Sequence, residues 1–385
     1  MTGNNPRIRV LLTVPQLSST ASPYREMMAL ARYLPRDHFQ LTICSLRENG
    51  FAETAPVLEK LGCRVLVARF RPRGRKFAHL RAAWKDHQRI AQYGPFDIQH
   101  SLDFTSSPVE ALFAKLHAQP FIFTQRNLGQ RGSRAGIWLK IRLSKKIVVN
   151  SNAAVQLLHS LGADSSKVEK IPLGIDQCRG NPAGYAAGTD GRYILSVGHI
   201  QRLKRQHDAI TTLARLIPEV PDLSLLIAGE FFDPGYYEEL KHLAGTLGLD
   251  HRVQFLGVRD DICSLMQSAS ALLLCSESEA FPWVILEAMS VGLPVVSSDC
   301  GGPGEIIAND QTGFLVPVGD IDGYTRALRQ IILEPGRGAF LSKNAYDLVS
   351  TQYSAQAMAA RHAEMYKSLI VKTSNPGHCS RNLSG

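Results

Sequence analysis

A chain of 385 residues exceeds what one hydrophobic core usually supports, so two domains are expected. Its 44% apolar and 20% charged shares are those of an ordinary globular protein and exclude a disordered or fibrous one. A net charge of +9 favours anionic partners, with nucleotide, phosphoglycolipid, membrane surface and nucleic acid all open at this stage.

The chain opens on an apolar run at 9–14 (RVLLTV), followed by a Ser/Thr/Pro loop and a helical pattern over 24–34. FQLTICSL (39–46), a helix around 55–61 and CRVLVARF (63–70) follow. DIQHSLDF (97–104), PFIFTQ (120–125) and KKIVVNS (145–151) continue the series. Short β-branched strands alternating with amphipathic helices mark an α/β fold with parallel sheets. Residues 177–190 (QCRGNPAGYAAGTD) lack periodicity and read as a linker between a first domain at 1–176 and a second at 191–353.

After the linker the alternation restarts. YILSVG (193–198), LSLLIAGE (223–230), VQFLG (253–257), ALLLCS (271–276) and PVVSSD (294–299) read as strands. Helices are expected over 207–217, 236–247 and 260–268, from near Pro282, and over 322–333 and 354–370. The last, within 354–372, is expected to pack back on the first domain, and 373–385 reads as a disordered tail. Together the halves read as two doubly wound units facing each other across a cleft.

Seven widely spaced cysteines include no C-x-x-C pair, so reduced thiols and no zinc site are expected. The N-terminus lacks a signal-like apolar stretch and no apolar run reaches about 18–20 residues. A cytoplasmic protein with at most peripheral membrane contact is the resulting expectation.

Residues 276–296 (SESEAFPWVILEAMSVGLPVV) carry the chemistry. Glu279 follows a buried strand, and Glu287 stands eight positions on, inside the next helix. In an open α/β sheet that loop and helix start form the rim of the ligand crevice, where free amides bind anions and carboxylates accept from sugar hydroxyls. This segment, with Phe281-Pro282, Glu287-Ala288-Met289 and Gly292-Leu293-Pro294, closely resembles the donor-site signature of family 4 retaining glycosyltransferases.

The resemblance runs from the first strand to about residue 370 and implies the GT-B fold: two Rossmann-like domains with parallel sheets facing an interdomain cleft. It implies a nucleotide-sugar donor held by the second domain and a glycan or lipid-linked acceptor. Glu279 would contact donor sugar hydroxyls, Glu287 the ribose, and the backbone of Ala280 and Phe281, ahead of Pro282, the sugar and phosphates. Ala280 stands where the family usually has Gly.

Val197-Gly198-His199-Ile-Gln-Arg202-Leu-Lys204-Arg205 is a strand ending in Gly before a basic loop, a suitable cradle for a pyrophosphate leaving group. Lys204 aligns with the family lysine, His199 replaces the usual arginine, and Arg202 and Arg205 are further candidates. Gly229, in Ile227-Ala-Gly229-Glu230, resembles the family's strand-to-Gly turn. Phe255, in 253–257, lies in a segment resembling the one whose backbone edges the nucleobase. Gly301-Gly302 resembles the loop near the donor phosphates.

In the first half, Ser18 and Ser19 replace the family's Gly-Gly on the acceptor side. Arg126 ends a strand, and His100 resembles the strand-end histidine near the transferred sugar. Arg69, Arg71, Arg73, Arg75 and Lys76, beside Phe70 and Phe77, suit peripheral contact with an anionic membrane. No recognition motif accompanies the charge, so nucleic acid is not expected as a partner. Asp320 and Asp322 are read as helix-capping, and neither a metal nor another cofactor is expected. A GT-B nucleotide-sugar epimerase and a catalytically silent scaffold subunit are the alternatives.

Overall fold

The structure, a computed structural model, describes residues 6–18, 23–68, 76–102, 105–125, 133–176 and 192–371. Ser19, Arg126, residues 69–75, the expected linker and the expected tail lie outside these, as do the side chains of Lys76 and Phe77. The chain divides into two compact units. One is formed by residues 1–150, 154–174 and 355–385, the other by residues 151–153 and 175–354.

The first unit is built on seven parallel strands: β1 (Ile8–Val14), β2 (Phe39–Ser45), β3 (Arg64–Val67), β4 (Ile98–Ser101), β5 (Phe121–Gln125), β6 (Lys146–Val149) and β7 (Val168–Lys170). Their spatial order is β3-β2-β1-β4-β5-β6-β7. The connecting helices are α1 (Tyr24–Tyr33), α2 (Phe51–Lys60), α3 (Lys76–Ala91), α4 (Val109–Leu116), α5 (Arg134–Leu143) and α6 (Asn152–Ser160). Strand alternation sends Val10, Leu12 and Val14 to one face, where they pack with Met27 and Leu30 of α1. Leu11 points to the other face, among Ile90, Phe96 and Phe113. The final helix, α13 (Ala355–Val371), belongs to this unit: Met358, Met365, Tyr366 and Leu369 join the α1 side of the core.

The second unit has six parallel strands, β8 (Tyr193–Val197), β9 (Ser224–Ala228), β10 (Val253–Gly257), β11 (Ala271–Leu274), β12 (Val295–Ser298) and β13 (Phe314–Val316), in the order β10-β9-β8-β11-β12-β13. Helices α7 (Gln206–Leu216), α8 (Pro234–Thr246), α9 (Ile262–Ser268), α10 (Trp283–Ser290), α11 (Ile321–Leu333) and α12 (Pro335–Gln352) cover it. β11 and β9 are buried at every residue, which is why ALLL and SLLIA read as unbroken apolar runs rather than alternating ones. Each fully buried Leu or Ile of such strands contributes about 1.5–3 kcal/mol.

Three elements depart from the sequence expectation. Helix α12 is additional: Pro335 is tolerated in its first turn, and Leu341, Ala345 and Val349 then bury one face. Strands β7 and β13, three residues each, are too short to show a period. Cys44, Cys63, Cys275 and Cys300 are free, but Cys263 is disulfide-bonded, which corrects the expectation that every thiol is reduced. Among the described residues no helix is long and apolar enough to cross a membrane.

Candidate active site

In the second unit the strand order reverses between β8 and β11, which are hydrogen-bonded neighbours whose connections leave in opposite directions. Loops at the carboxyl ends of two such strands diverge and leave a crevice, the usual ligand position in an open α/β sheet. The loop after β8 carries Gly198 to Arg205, and the loop after β11 carries Cys275 to Pro282. Of the sequence-predicted residues, Gly198, His199, Arg202, Lys204 and Arg205 therefore face Glu279, Ala280, Phe281 and Pro282 across one topological switch point, while Gly229, Phe255 and Glu287 lie on other elements.

Lys204 Nζ forms an ion pair with Glu279 Oε1 across this point, with both side chains less than one-fifth exposed. Ser276, which sequence reasoning did not single out, donates its hydroxyl to the same Oε1 at 2.7 Å. Its signal was positional: it stands at the strand end, three residues before Glu279. Backbone bonds fix the two loops together, since Glu277 N donates to Leu203 O at 2.8 Å. Ser298 Oγ, on β12, donates to Ser276 O at 2.6 Å.

Glycine is required where these loops cross. A Cβ on Gly229, at φ +152°, would lie 2.0 Å from Gly198 O. On Gly302 it would lie 2.6 Å from the carbonyl oxygens of Glu279 and Ala280. Gly302 N donates to Glu279 O at 2.9 Å, so the Gly301-Gly302 turn holds the Glu279–Ala280 backbone in place. Phe281 and Pro282 are buried, Phe281 with its ring 6.2 Å from Tyr353, and Glu287 is half-buried on α10.

The other basic candidates have protein partners. Arg205 donates to both oxygens of Asp208, at 2.8 and 3.2 Å, and takes a left-handed φ of +50° as it caps α7. Burial works to raise the Asp208 carboxyl, but bonds from His207 and Arg205 hold it below the usual carboxylate range. Arg202 pairs with Glu239 and lies over the Tyr236 ring at 5.3 Å, both on α8. His199 is exposed, its ring 5.6 Å from Phe232, while its carbonyl accepts from Gln206 Nε2 at 2.9 Å. Phe255 packs edge-on against Tyr237 at 5.1 Å.

His100 sits at the end of the first unit's β4. It is fully buried in the first unit, Nδ1 2.7 Å from the Tyr366 hydroxyl and Nε2 2.9 Å from Thr124 Oγ1. Both ring nitrogens are thus within hydrogen-bond distance of protein hydroxyls, one of them on α13. Ser18 is half-buried in the loop after β1. Asp320 caps α11, accepting from Gly323 N at 2.9 Å, whereas Asp322 pairs with Arg215 instead of capping.

The two parallel sheets and their strand orders are those of the GT-B class of α/β proteins, and known structures agree. A glycosyltransferase from Rickettsia africae matches with a TM-score of 0.81 at 21% identity, over 96% of this chain and 100% of that one. Anabaena HepE in complex with UDP and glucose matches with a TM-score of 0.77 at 22% identity, over 94% and 100%. The family profile of glycosyl transferases group 1 matches residues 181–348, and that of glycosyltransferase family 4 matches 25–179. The chain belongs to the family 4 glycosyltransferases.

Among curated relatives, D-inositol 3-phosphate glycosyltransferase of Rhodococcus jostii is 32% identical over 237 residues, 58% of this chain and 49% of that protein. N-acetyl-alpha-D-glucosaminyl L-malate synthase of Bacillus anthracis is 27% identical over 186 residues, 48% of each. The chain thus spans about half the length of the curated relatives it matches.

Proposed function

We propose that the chain is a retaining glycosyltransferase moving a hexose-type sugar from a nucleotide-sugar donor to a hydroxyl of a glycan or lipid-linked acceptor. The process would be cell-surface polysaccharide or glycolipid synthesis, at the cytoplasmic face of a membrane. One observation carries the reading: an ammonium and a carboxylate meet at the switch point of the second unit, among backbone crossings too tight for any side chain. Breaking a bond to a nucleoside diphosphate develops negative charge on the leaving phosphate, and a fixed cation stabilises it more in the transition state than in the ground state. Lys204 is that cation.

Both bonds to the Glu279 side chain fall on Oε1, which leaves Oε2 to accept from donor sugar hydroxyls. Glu287 serves the ribose, and Gly198, His199, Gly229 and Phe255 border the nucleotide. Retention then follows from attack by the acceptor hydroxyl on the face the diphosphate leaves, with the departing phosphate taking the proton. Lys204 and backbone amides meet the diphosphate charge, so no resident metal is needed. The UDP and glucose bound in the Anabaena relative support a nucleotide-sugar donor.

The test is a thermal-shift panel of UDP, GDP, ADP and their sugar conjugates, followed by donor hydrolysis and transfer assays. A nucleotide at a hundred times its dissociation constant stabilises by about 2.7 kcal/mol. Lys204→Ala and Glu279→Ala should each lower turnover by about 100-fold or more. Undiminished turnover in both variants would refute the assignment.

A further inference from the structure

The first unit contains a cavity of about 320 Å³ that the donor chemistry does not use. Leu11 on β1 and Gln99 on β4 are register partners on adjacent strands and line it from the same sheet face. This is the face opposite His100, which follows Gln99 and points the other way. Ile90 and Phe96 supply apolar walls. Residues 94–96 precede β4 and Gln119 precedes β5, so the cavity sits at the amino ends of the strands, the edge opposite the loop after β1.

Two polar features mark it as built for a ligand. Gln99 is 2% exposed, and it lines the cavity from the sheet. An amide at a cavity wall offers a donor and an acceptor to whatever enters, water included. At the wall, His87 Nε2 lies 2.6 Å from His117 Nε2, so one proton must lie between them. Burial, with His117 adjacent, pushes His87 down to about 4, which keeps that ring neutral. Among the described residues no carboxylate, ammonium or guanidinium group lines the cavity.

We propose that this cavity is a second ligand site, taking a small uncharged molecule of one or two rings whose lactam-type edge pairs its N–H and C=O with the Gln99 amide. The volume lies at the lower end of small-molecule pockets, which are mostly apolar with a few convergent polar groups. A primary amide offers one donor and one acceptor side by side, and a cis-amide edge is its complement. Charged molecules would enter without a counter-ion and forfeit hydration.

The probe is 2-pyridone, added to the full chain while the imidazole NMR signals of His87 and His117 are followed. Saturable movement of both is expected. N-Methyl-2-pyridone, which lacks the N–H, should bind at least about tenfold more weakly, as a site built around a hydrogen bond rejects the analogue without it. Gln99→Leu should lose 2-pyridone to a similar degree. Ala91→Phe fills the cavity from the exposed end of α3, and should block binding even if the Gln99 variant folds poorly. Unmoved imidazole signals up to the solubility limit would show a cavity holding only water and overturn the proposal. Equal binding of the N-methyl compound, or binding retained in both variants, would overturn it as well.

Discussion

Single side chains in this protein take their charge state from depth and neighbours rather than from residue type. His87 illustrates it. Its ring stacks on Phe113 at 4.2 Å and faces His117, and burial followed by that neighbour lowers it from 6.5 to about 4. As pH falls, the unfolded chain takes up a proton near 6.5 while the folded one waits until about 4, so the unfolded state binds more protons in between. The associated stability is intact above pH 6.5 and lost progressively toward pH 4, by an amount on the order of 2–3 kcal/mol. His87→Gln should flatten that part of the pH profile, as measured by urea unfolding at successive pH values. A wild-type slope retained in the variant would place the titrating group elsewhere. Neighbours also separate the cations of the loop after β8: Lys204 turns to Glu279, while Arg205 pairs with Asp208 and Arg202 with Glu239.

At the level of elements, α13 is the most informative. It follows the whole second unit in sequence yet packs in the first, and polar contacts in its interface specify its seat. His100 on β4 bonds Tyr366, and His362 lies 3.4 Å from Glu26 Oε1 on α1 with both side chains almost fully buried. Burial keeps the Tyr366 hydroxyl protonated and available to donate. Tyr366→Phe should cost about 1–2 kcal/mol, because it strands His100 Nδ1 without a partner in the core. Denaturant unfolding would measure the loss, and nucleotide binding by the second unit should be unchanged. A variant as stable as the parent would mean that apolar packing alone seats the helix.

For the molecule as a whole, each unit owns a separate core, so ligand effects should respect the division. Saturating nucleoside diphosphate should raise amide exchange protection around residues 198–206, 276–287 and 299–305. The first unit's α1 and α13 should change little. Protection gained mainly in the first unit would move the donor site out of the second.

Much of this was legible from the chain alone. Alternation of buried strands with amphipathic helices determined the two parallel sheets, because side-chain period is a local property. The 276–296 segment also announced itself, since a strand end and a helix start must fall at the crevice rim. Even so, α12 escaped because its first turn carries Pro and two Gly, and the three-residue β7 and β13 because nothing so short has a period. What only the tertiary structure decided was partnership across long separations. That Lys204 meets Glu279, that Arg205 serves Asp208, that His100 bonds a tyrosine 266 residues away and that Gln99 faces a cavity are consequences of which surfaces packing brings together. Local pattern carries which face is buried; it carries no information about which distant group will be waiting there.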